Sequence, residues 1–589
     1  MNALGIMQRW NAFTTWFNRQ EYSENAVLLG FATAIGVLAA LGVIAFYRTI
    51  DLAYAVFYRW AGSDFPPAAG LLYRPVVTGA GVALAWWVMR RLGRGSDGLN
   101  VPDVQLAVVR RGGSIPARPA LARTLASAIT IGSGGSAGSE GPVVVLGAAI
   151  GSALGRAFRF TPQRTATFVG CASAAAISAA FNAPLAGAFF AIEEILGSFS
   201  VASFSPVVVA SVVAAIVSRA AFGNHPAFPM PSQYGYGSIG EILIFFPLLG
   251  VVTGFTSIAY VRTYFGFDAL AARFRGARFE AVMPWVAGAV VGAMVWLSHG
   301  LLVGYGHLAL HAEMFGQLAW YTLFGLAAGG IVATAITLAG GGSGGVFTPS
   351  LYIGAAAGGG VGVLLMRLWP AIGIHPEAYA VVGMGALVAG ATDAPITGIL
   401  LVFEMTNDYA IIIPLMLTVV VAHAIARRWE PDSLYSGWLR RRGESIEQGA
   451  DRDVLAGLQV RDAYDANPRV IGEDTPLDAL LGLLDSNQPC YPVVDAEGHC
   501  VGVITVTGLG QLAAAARDSG PLVRAIDALE PSEIVGPSDS LLDAVRKMGV
   551  RGAAALPVVD RVSGQVVGLV THAHIVTAYE SRVARTASV

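Results

Sequence analysis

The sequence predicts an all-α polytopic membrane domain made of two related halves with broken helices, followed by an α+β tail that lies in water. Three observations carry that expectation. Of 589 residues, 54% are hydrophobic and only 13% are charged, against roughly a quarter charged in an average soluble domain. The charge is concentrated at one end: residues 441–589 hold 13 basic and 20 acidic residues, so the apolar character belongs to the first 440. Glycine, at 72 residues, exceeds its usual share of about 7%, so the apolar stretches are repeatedly interrupted by residues that permit tight turns and close packing.

Residues 1–25 carry Arg9, Arg19, Glu21 and Glu24 and lack a small-residue cleavage site after a short apolar core, which reads as a cytosolic start. Apolar runs follow at 26–47, 75–89, 206–221, 242–260, 282–303, 322–339 and 410–426. Most are long enough, or nearly so, to cross a hydrocarbon core of about 30 Å. Arginines at 90–94, 110–111, 427–428 and 440–442 sit in short connections and place these on the cytoplasmic side, with both termini inside the cell. The expected location is a bacterial inner membrane. Shorter apolar pieces lie between the spans, at 121–131, 143–150, 165–180, 184–197, 350–366 and 396–405. Broken helices persist in a bilayer only where their backbone is buried in protein or lines a cavity, and matching breaks in two halves mark a transport site.

The halves, about 26–222 and 239–440, are visible as a duplication. Asn182-Ala183-Pro184-Leu185-Ala186-Gly187, with Glu193 six residues after the glycine, recurs as Asp393-Ala394-Pro395-Ile396-Thr397-Gly398 with Glu404, an offset of 211. Ser133-Gly134-Gly135 recurs as Ser343-Gly344-Gly345 at an offset of 210. In the first break, Gly132 to Pro142, a proline suited to the first turn opens the helix through 143–150,. The second, Gly345-Val346-Phe347-Thr348-Pro349, opens a helix from 350 by the same logic. Two helix N-termini facing each other at mid-membrane would bind an anion through free N–H groups without a full positive charge. Glu140 stands within the first break, where its carboxylate can mimic the anion and compete with it until a proton releases it. An intramembrane acid is a functional candidate by default.

These residues resemble the CLC family of chloride channels and chloride/proton exchangers over about residues 26–440. The gating motif Gly-Arg-Glu-Gly-Pro appears as Gly138-Ser139-Glu140-Gly141-Pro142, and Gly-x-Phe-x-Pro as Gly345-Val346-Phe347-Thr348-Pro349; the late tyrosine matches Tyr435. The resemblance implies two inverted repeats, a homodimer with one pore per subunit, and a central anion held by the amides of Val346 and Phe347 and the hydroxyl of Tyr435. Ser139, Gly141 and Thr348 join these as anion-binding candidates. Of the acids at 193 and 194, the second matches the family's proton relay, so Glu140 and Glu194 are the proton-carrying pair and Glu193 a further candidate. The remaining family motif, Gly-Ser-Gly-Ile-Pro, is met by Gly98-Leu99-Asn100-Val101-Pro102. The family serine therefore falls on Leu99, and Ser96 and Asn100 are the other candidates nearby. Serine replaces the family arginine at 139. Chloride/proton exchange is the leading expectation; a passive channel, or transport of nitrate or fluoride, is the alternative.

Within the tail, Tyr491-Pro492-Val493-Val494-Asp495 and Gly502-Val503-Ile504-Thr505 return as Leu556-Pro557-Val558-Val559-Asp560 and Gly568-Leu569-Val570-Thr571. Each copy, 457–516 and 524–585, resembles a CBS domain. Some pairs of these bind adenine nucleotides through a Thr-x-x-Asp motif. Thr505 and Thr571 are present, but Gly508 and His574 replace the aspartates, so no cofactor is expected. Formal charges of +5 before residue 441 and −7 after it point away from nucleic acid. Cys171, Cys490 and Cys500 are too few for a disulfide framework. Gly134-Gly135-Ser136-Ala137-Gly138 matches a serine-hydrolase pattern. Its strand-turn-helix setting is missing, and only His423 lies well inside a late apolar run, so no enzyme is expected.

Overall fold

The computed structural model describes residues 24–59, 70–93, 99–197, 201–223, 239–302 apart from 275 and 277–279, 318–444, and most of 455–586. Ser96 and nearly all of segment 1–25 lie outside the described residues. The chain forms two compact units that divide between Ile446 and Glu447. In the first half of the first unit run α1 (Glu24–Tyr54), α2 (Gly70–Leu92), α3 (Val101–Arg110), α4 (Ala117–Gly132), α5 (Glu140–Ala157), α6 (Pro162–Phe181), α7 (Pro184–Phe190, continuing as a π-helical stretch Ala191–Leu196) and α8 (Val201–Phe222). The second half holds α9 (Phe246–Ala272), α10 (Met283–Leu297), α11 (Trp320–Ala339), α12 (Phe347–Leu368), α13 (Pro376–Thr392), α14 (Pro395–Thr406), α15 (Ile412–Trp429) and α16 (Ser436–Arg441). Among the described residues six helices are long and apolar enough to cross a membrane, so this unit is an integral membrane domain.

Two sequence expectations need correction. The piece at 350–366 is no short fragment: it belongs to α12, whose 22 residues would span the bilayer. Glycines at α12 positions 354 and 358 lie against α13 so closely that added Cβ atoms would meet the Gly383 and Tyr379 carbonyl oxygens at 2.3 and 2.1 Å. Small residues that draw backbones together in this way dilute the hydropathy of a helix that is buried in protein. The run 282–303, in turn, gives only the 15 residues of α10.

The second correction concerns the repeat. Gly134 and Gly341 adopt left-handed φ of 94° and 105°, and Gly135 and Gly342 donate to the carbonyls of Thr130 and Thr337, each at 2.9 Å. The next helices then open at Glu140 and Phe347. All of these pairs match at an offset of 207, so the match of Ser133 with Ser343 is a slip of three residues along a glycine-rich loop. Downstream, Asn182 and Asp393, with φ of 56° and 73°, end α6 and α13 at the offset of 211. The four-residue step is one helical turn: α12 has 22 residues where α5 has 18.

Equivalent residues Gly138 and Gly345 face each other in an antiparallel bridge, each N–H donating to the other's carbonyl at 2.8 Å. A reciprocal pair between equivalent residues lies on a pseudo-two-fold axis, which inverts the two halves. The surrounding bonds repeat about that axis. Ser136 N–H donates to Thr337 Oγ1 at 3.1 Å and Ser343 N–H to Thr130 Oγ1 at 3.0 Å. The hydroxyl pairs Ser136 with Thr334 and Ser343 with Ser127 stand at 2.9 and 2.8 Å.

In the second unit β2 (Cys490–Val494) pairs antiparallel with β3 (Cys500–Thr505) and parallel with β1 (Ile471–Gly472). The second copy pairs β4 (Ala555–Val559) with β5 (Val566–Thr571), and its register shifts at Val558/Val559 as the first does at Val493/Val494. Helices α17 (Leu541–Arg551) and α18 (His572–Thr586) complete it, while residues 483–487 and 509–516 of the first copy lie outside the described residues. The copies exchange their lead-in segments. Leu458 and Val460, at the start of the first, pack in the second copy's core, and Ala525, at the start of the second, packs in the first's. The strands bury Cys490, whose thiol is pushed up to about 12 by that burial, with lesser contributions from Cys500 and Glu530.

Candidate functional site

The zipped glycine loops set the N-termini of α5 and α12 against each other, and Glu140 lies between them, only 1% exposed. Phe347 N–H donates to its Oε1 at 2.7 Å and the Thr348 hydroxyl to its Oε2 at 2.6 Å. The carboxylate thus takes the donors proposed for an anion. Its place exists because two neighbours lack side chains. A Cβ on Gly138 would stand 2.2 and 2.4 Å from the two carboxylate oxygens, and one on Gly345 would stand 2.0 Å from Oε1. A Cβ on Gly141 would stand 3.1 Å from Gly345 Cα.

Val346 caps α12, and its carbonyl accepts the Tyr260 hydroxyl at 3.2 Å. Tyr435 is buried, and its N–H bonds to Ser433 Oγ at 3.2 Å, holding the ring at the start of α16. The Ser139 hydroxyl shares a 3.2 Å bond with Tyr47 of α1, so a neutral hydroxyl pair stands where the family arginine would be. Two further candidates have other contacts. Leu99 packs against the main apolar core. Asn100 spends its N–H on Asp103 at 2.7 Å and its side-chain oxygen on the Arg123 guanidinium.

Arg123 is the residue that the sequence reading passed over. It is 8% exposed, on α4, and donates to the Gly344 carbonyl at 2.7 Å. A full positive charge therefore stands directly beneath the second glycine loop, and the expectation of an uncharged site is revised. An arginine inside the apolar piece 121–131 was the available signal. Glu194 is buried at 4% exposure and receives a bond from Gln105 Nε2 of α3 at 2.9 Å. Glu193 is not placed with it. Its carboxylate receives the N–H groups of Ile396 and Thr397 at the start of α14. Ser136 and His423, of the hydrolase pattern, have other partners: Thr334 for the serine, and Asp393 and the Ala389 carbonyl for the histidine. Among the described residues no acid, histidine and cysteine cluster could hold a metal.

In the tail, the Thr505 hydroxyl donates to Glu530 Oε1 at 2.8 Å and accepts Gly508 N–H at 2.9 Å. Thr571 Oγ1 accepts His574 N–H at 3.2 Å.

Broken helices whose N-termini meet on an inversion axis, around a seated carboxylate and within a membrane domain, define an inverted-repeat ion-transport protein. Residues 81–427 match the family described as voltage gated chloride channel, and residues 460–509 and 523–581 match the CBS domain. The chain belongs to the CLC family, with a C-terminal CBS pair. A putative chloride channel protein ClcB-like of Ralstonia nicotianae is 32% identical, over 70% of this chain and 97% of its own length. An H(+)/Cl(-) exchange transporter ClcA of Yersinia pestis is 28% identical over 72% and 89%. A slow cyanobacterial Cl-/H+ antiporter superposes with a TM-score of 0.63 at 25% identity, over 72% of this chain and 99% of that one. A eukaryotic CLC transporter covers 93% of this chain and 98% of its own with a TM-score of 0.61 at 20% identity, a likeness of fold.

Proposed function

We propose that this protein exchanges chloride for protons across a bacterial inner membrane as a homodimer with one pore per subunit, using Glu140 as gate and proton carrier. The seated Glu140 carboxylate supports this reading most strongly. It holds two strong donors at 2.7 and 2.6 Å, and hydrogen bonds to an ionised acceptor are roughly twice as strong as neutral ones. A proton on Glu140 removes that advantage, the side chain gives up its place, and an anion takes the vacated donors together with the Tyr435 hydroxyl. The relatives' names divide between channel and exchanger, and the residue that favours exchange is Glu194. It is a second buried carboxylate, able to pass protons from the cytoplasm while the anion keeps its own inner route.

The test is anion flux from proteoliposomes with pH recorded at the same time. A chloride gradient is expected to drive protons uphill in the opposite direction, faster as pH falls, because protonation removes the anion's competitor. Chloride flow with no uphill proton movement leaves a passive channel.

We propose that the tail works without a nucleotide. The one proton of the Thr505 hydroxyl is already given to Glu530, and no acid stands at 508 or 574. Added ATP or AMP is expected to leave the chain's unfolding midpoint where it was; a rise of several degrees, the signature of a ligand bound to the folded state, refutes this.

A further inference from the structure

Glu193 and Glu404 form a reciprocal brace between the repeats. Glu404, late in α14, receives Leu185 N–H at 2.9 Å and Ala186 N–H at 2.7 Å, at the start of α7. Glu193, in the first turn of the continuation of α7, receives Ile396 N–H at 3.1 Å, Thr397 N–H at 2.8 Å and the Thr397 hydroxyl at 2.7 Å, at the start of α14. Each helix begins with a proline, which has no N–H, and its first regular backbone bonds come from Gly187 to Ala183 and from Gly398 to Ala394. The two amides between, which a helix start leaves without partners, are the two that the carboxylate of the other repeat takes. Every donor in both first turns is thus satisfied, and each carboxylate lies at a dipole end that favours it.

One arm of this brace reaches the proton path. Helix α7 is only seven residues long before its π-helical continuation Ala191–Leu196, which carries Glu194 next to Glu193. So short a helix has little stability of its own, and its placement depends on what grips its ends. Glu404 grips the beginning and Glu193 the end, with Glu194 turned inward to Gln105.

We infer that Glu404, which lies in the opposite repeat and carries no proton in the proposed cycle, is a positioning residue for Glu194 and sets how tightly protons are coupled to the anion. The inference rests on the exchange reading. Glu193 has the same task at the other end, and its carboxylate stays on α14 throughout transport.

The experiment is Glu404→Gln, reconstituted as the full chain, with proton and anion fluxes measured together. A glutamine has a single oxygen for two amides, so α7 loosens. Proton flux is expected to fall about tenfold, the equivalent of one charge-assisted bond of roughly 1.5 kcal/mol, while anion flux stays within about twofold, and so the ratio of anions to protons rises. A purely structural brace would lower the number of working copies, reducing both fluxes alike; an unmoved ratio overturns the inference. Should that variant not assemble, Thr397→Val removes only one bond to Glu193 and is expected to shift the ratio in the same direction, an unchanged ratio again counting against the brace. An unaltered protein that moves no protons uphill overturns the exchange reading and this inference together, so the two failures are told apart by the wild type.

Discussion

Glu140→Gln is expected to stop proton transport, by about 100-fold or more, while anion transport continues and loses its dependence on pH. The glutamine is the same size and fits the place left by Gly138 and Gly345. Its amide oxygen can accept from Phe347 N–H as Oε1 does at 2.7 Å. What it lacks is the charge, and with it roughly half the strength of each bond. Two such bonds, at about 1.5–3 kcal/mol each when one partner is ionised, set the advantage of the docked carboxylate over a competing anion. Once that advantage is reduced, the anion displaces the side chain at every pH, since nothing remains to titrate there. No proton can be taken up or delivered at this position either. Flux from proteoliposomes between about pH 4.5 and 7.5 measures both effects. Surviving uphill proton movement, or a pH profile like that of the unaltered protein, removes Glu140 from the gate.

Much of this site was legible in the sequence, for physical reasons that also explain the gaps. Gly138 to Pro142 and Gly345 to Pro349 are dictated locally: a carboxylate beside glycines and a helix-opening proline can be seated only where backbone N–H groups are free. The Asx-Ala-Pro starts are equally local, because the left-handed residue that ends one helix and the proline that opens the next are neighbours in the chain. The repeat register in the glycine loops was not legible. Four of the five residues at 340–344 are glycine, and the glycine pair 134–135 matches there at several offsets, so only φ and hydrogen bonding distinguish 207 from 210. Contacts between halves were also hidden. Glu193 and Glu404 appeared as matching acids six residues after matching glycines, but that spacing does not show that each serves the helix of the other repeat. Arg123 was visible as a charge in an apolar piece, yet its meaning depends on Gly344, more than 200 residues away.

Gly138→Ala carries the other large expected effect, because it asks whether anion and gate share one place. The three nearest atoms to a Cβ at 138 are Glu140 Oε2, Oε1 and Cδ, at 2.2, 2.4 and 2.6 Å, closer than non-bonded atoms can stand. Gly138 is not in the left-handed region, so alanine is not strained by a positive φ, and the nearest conflict is with the carboxylate. Glu140 must leave. If its absence merely opened the gate, flux would rise. However, the methyl group then stands among the donors that the departed carboxylate used, and an anion moving to Phe347 N–H and the Thr348 hydroxyl meets the same obstruction. Flux is therefore expected to fall, by about 100-fold for a loss of roughly 3 kcal/mol of anion binding in transit. The decisive variant is Gly138→Ala combined with Glu140→Ala, compared with Glu140→Ala alone. If glycine serves only to admit the gate, removing the gate makes the methyl group harmless, and flux returns to the level of Glu140→Ala. If the pocket belongs to the anion as well, the double variant stays slow although no glutamate remains to block it. The second outcome is expected, with elution profile and unfolding midpoint confirming that both variants fold. A restored flux shows that the anion passes elsewhere, and that the carboxylate blocks its route without imitating it.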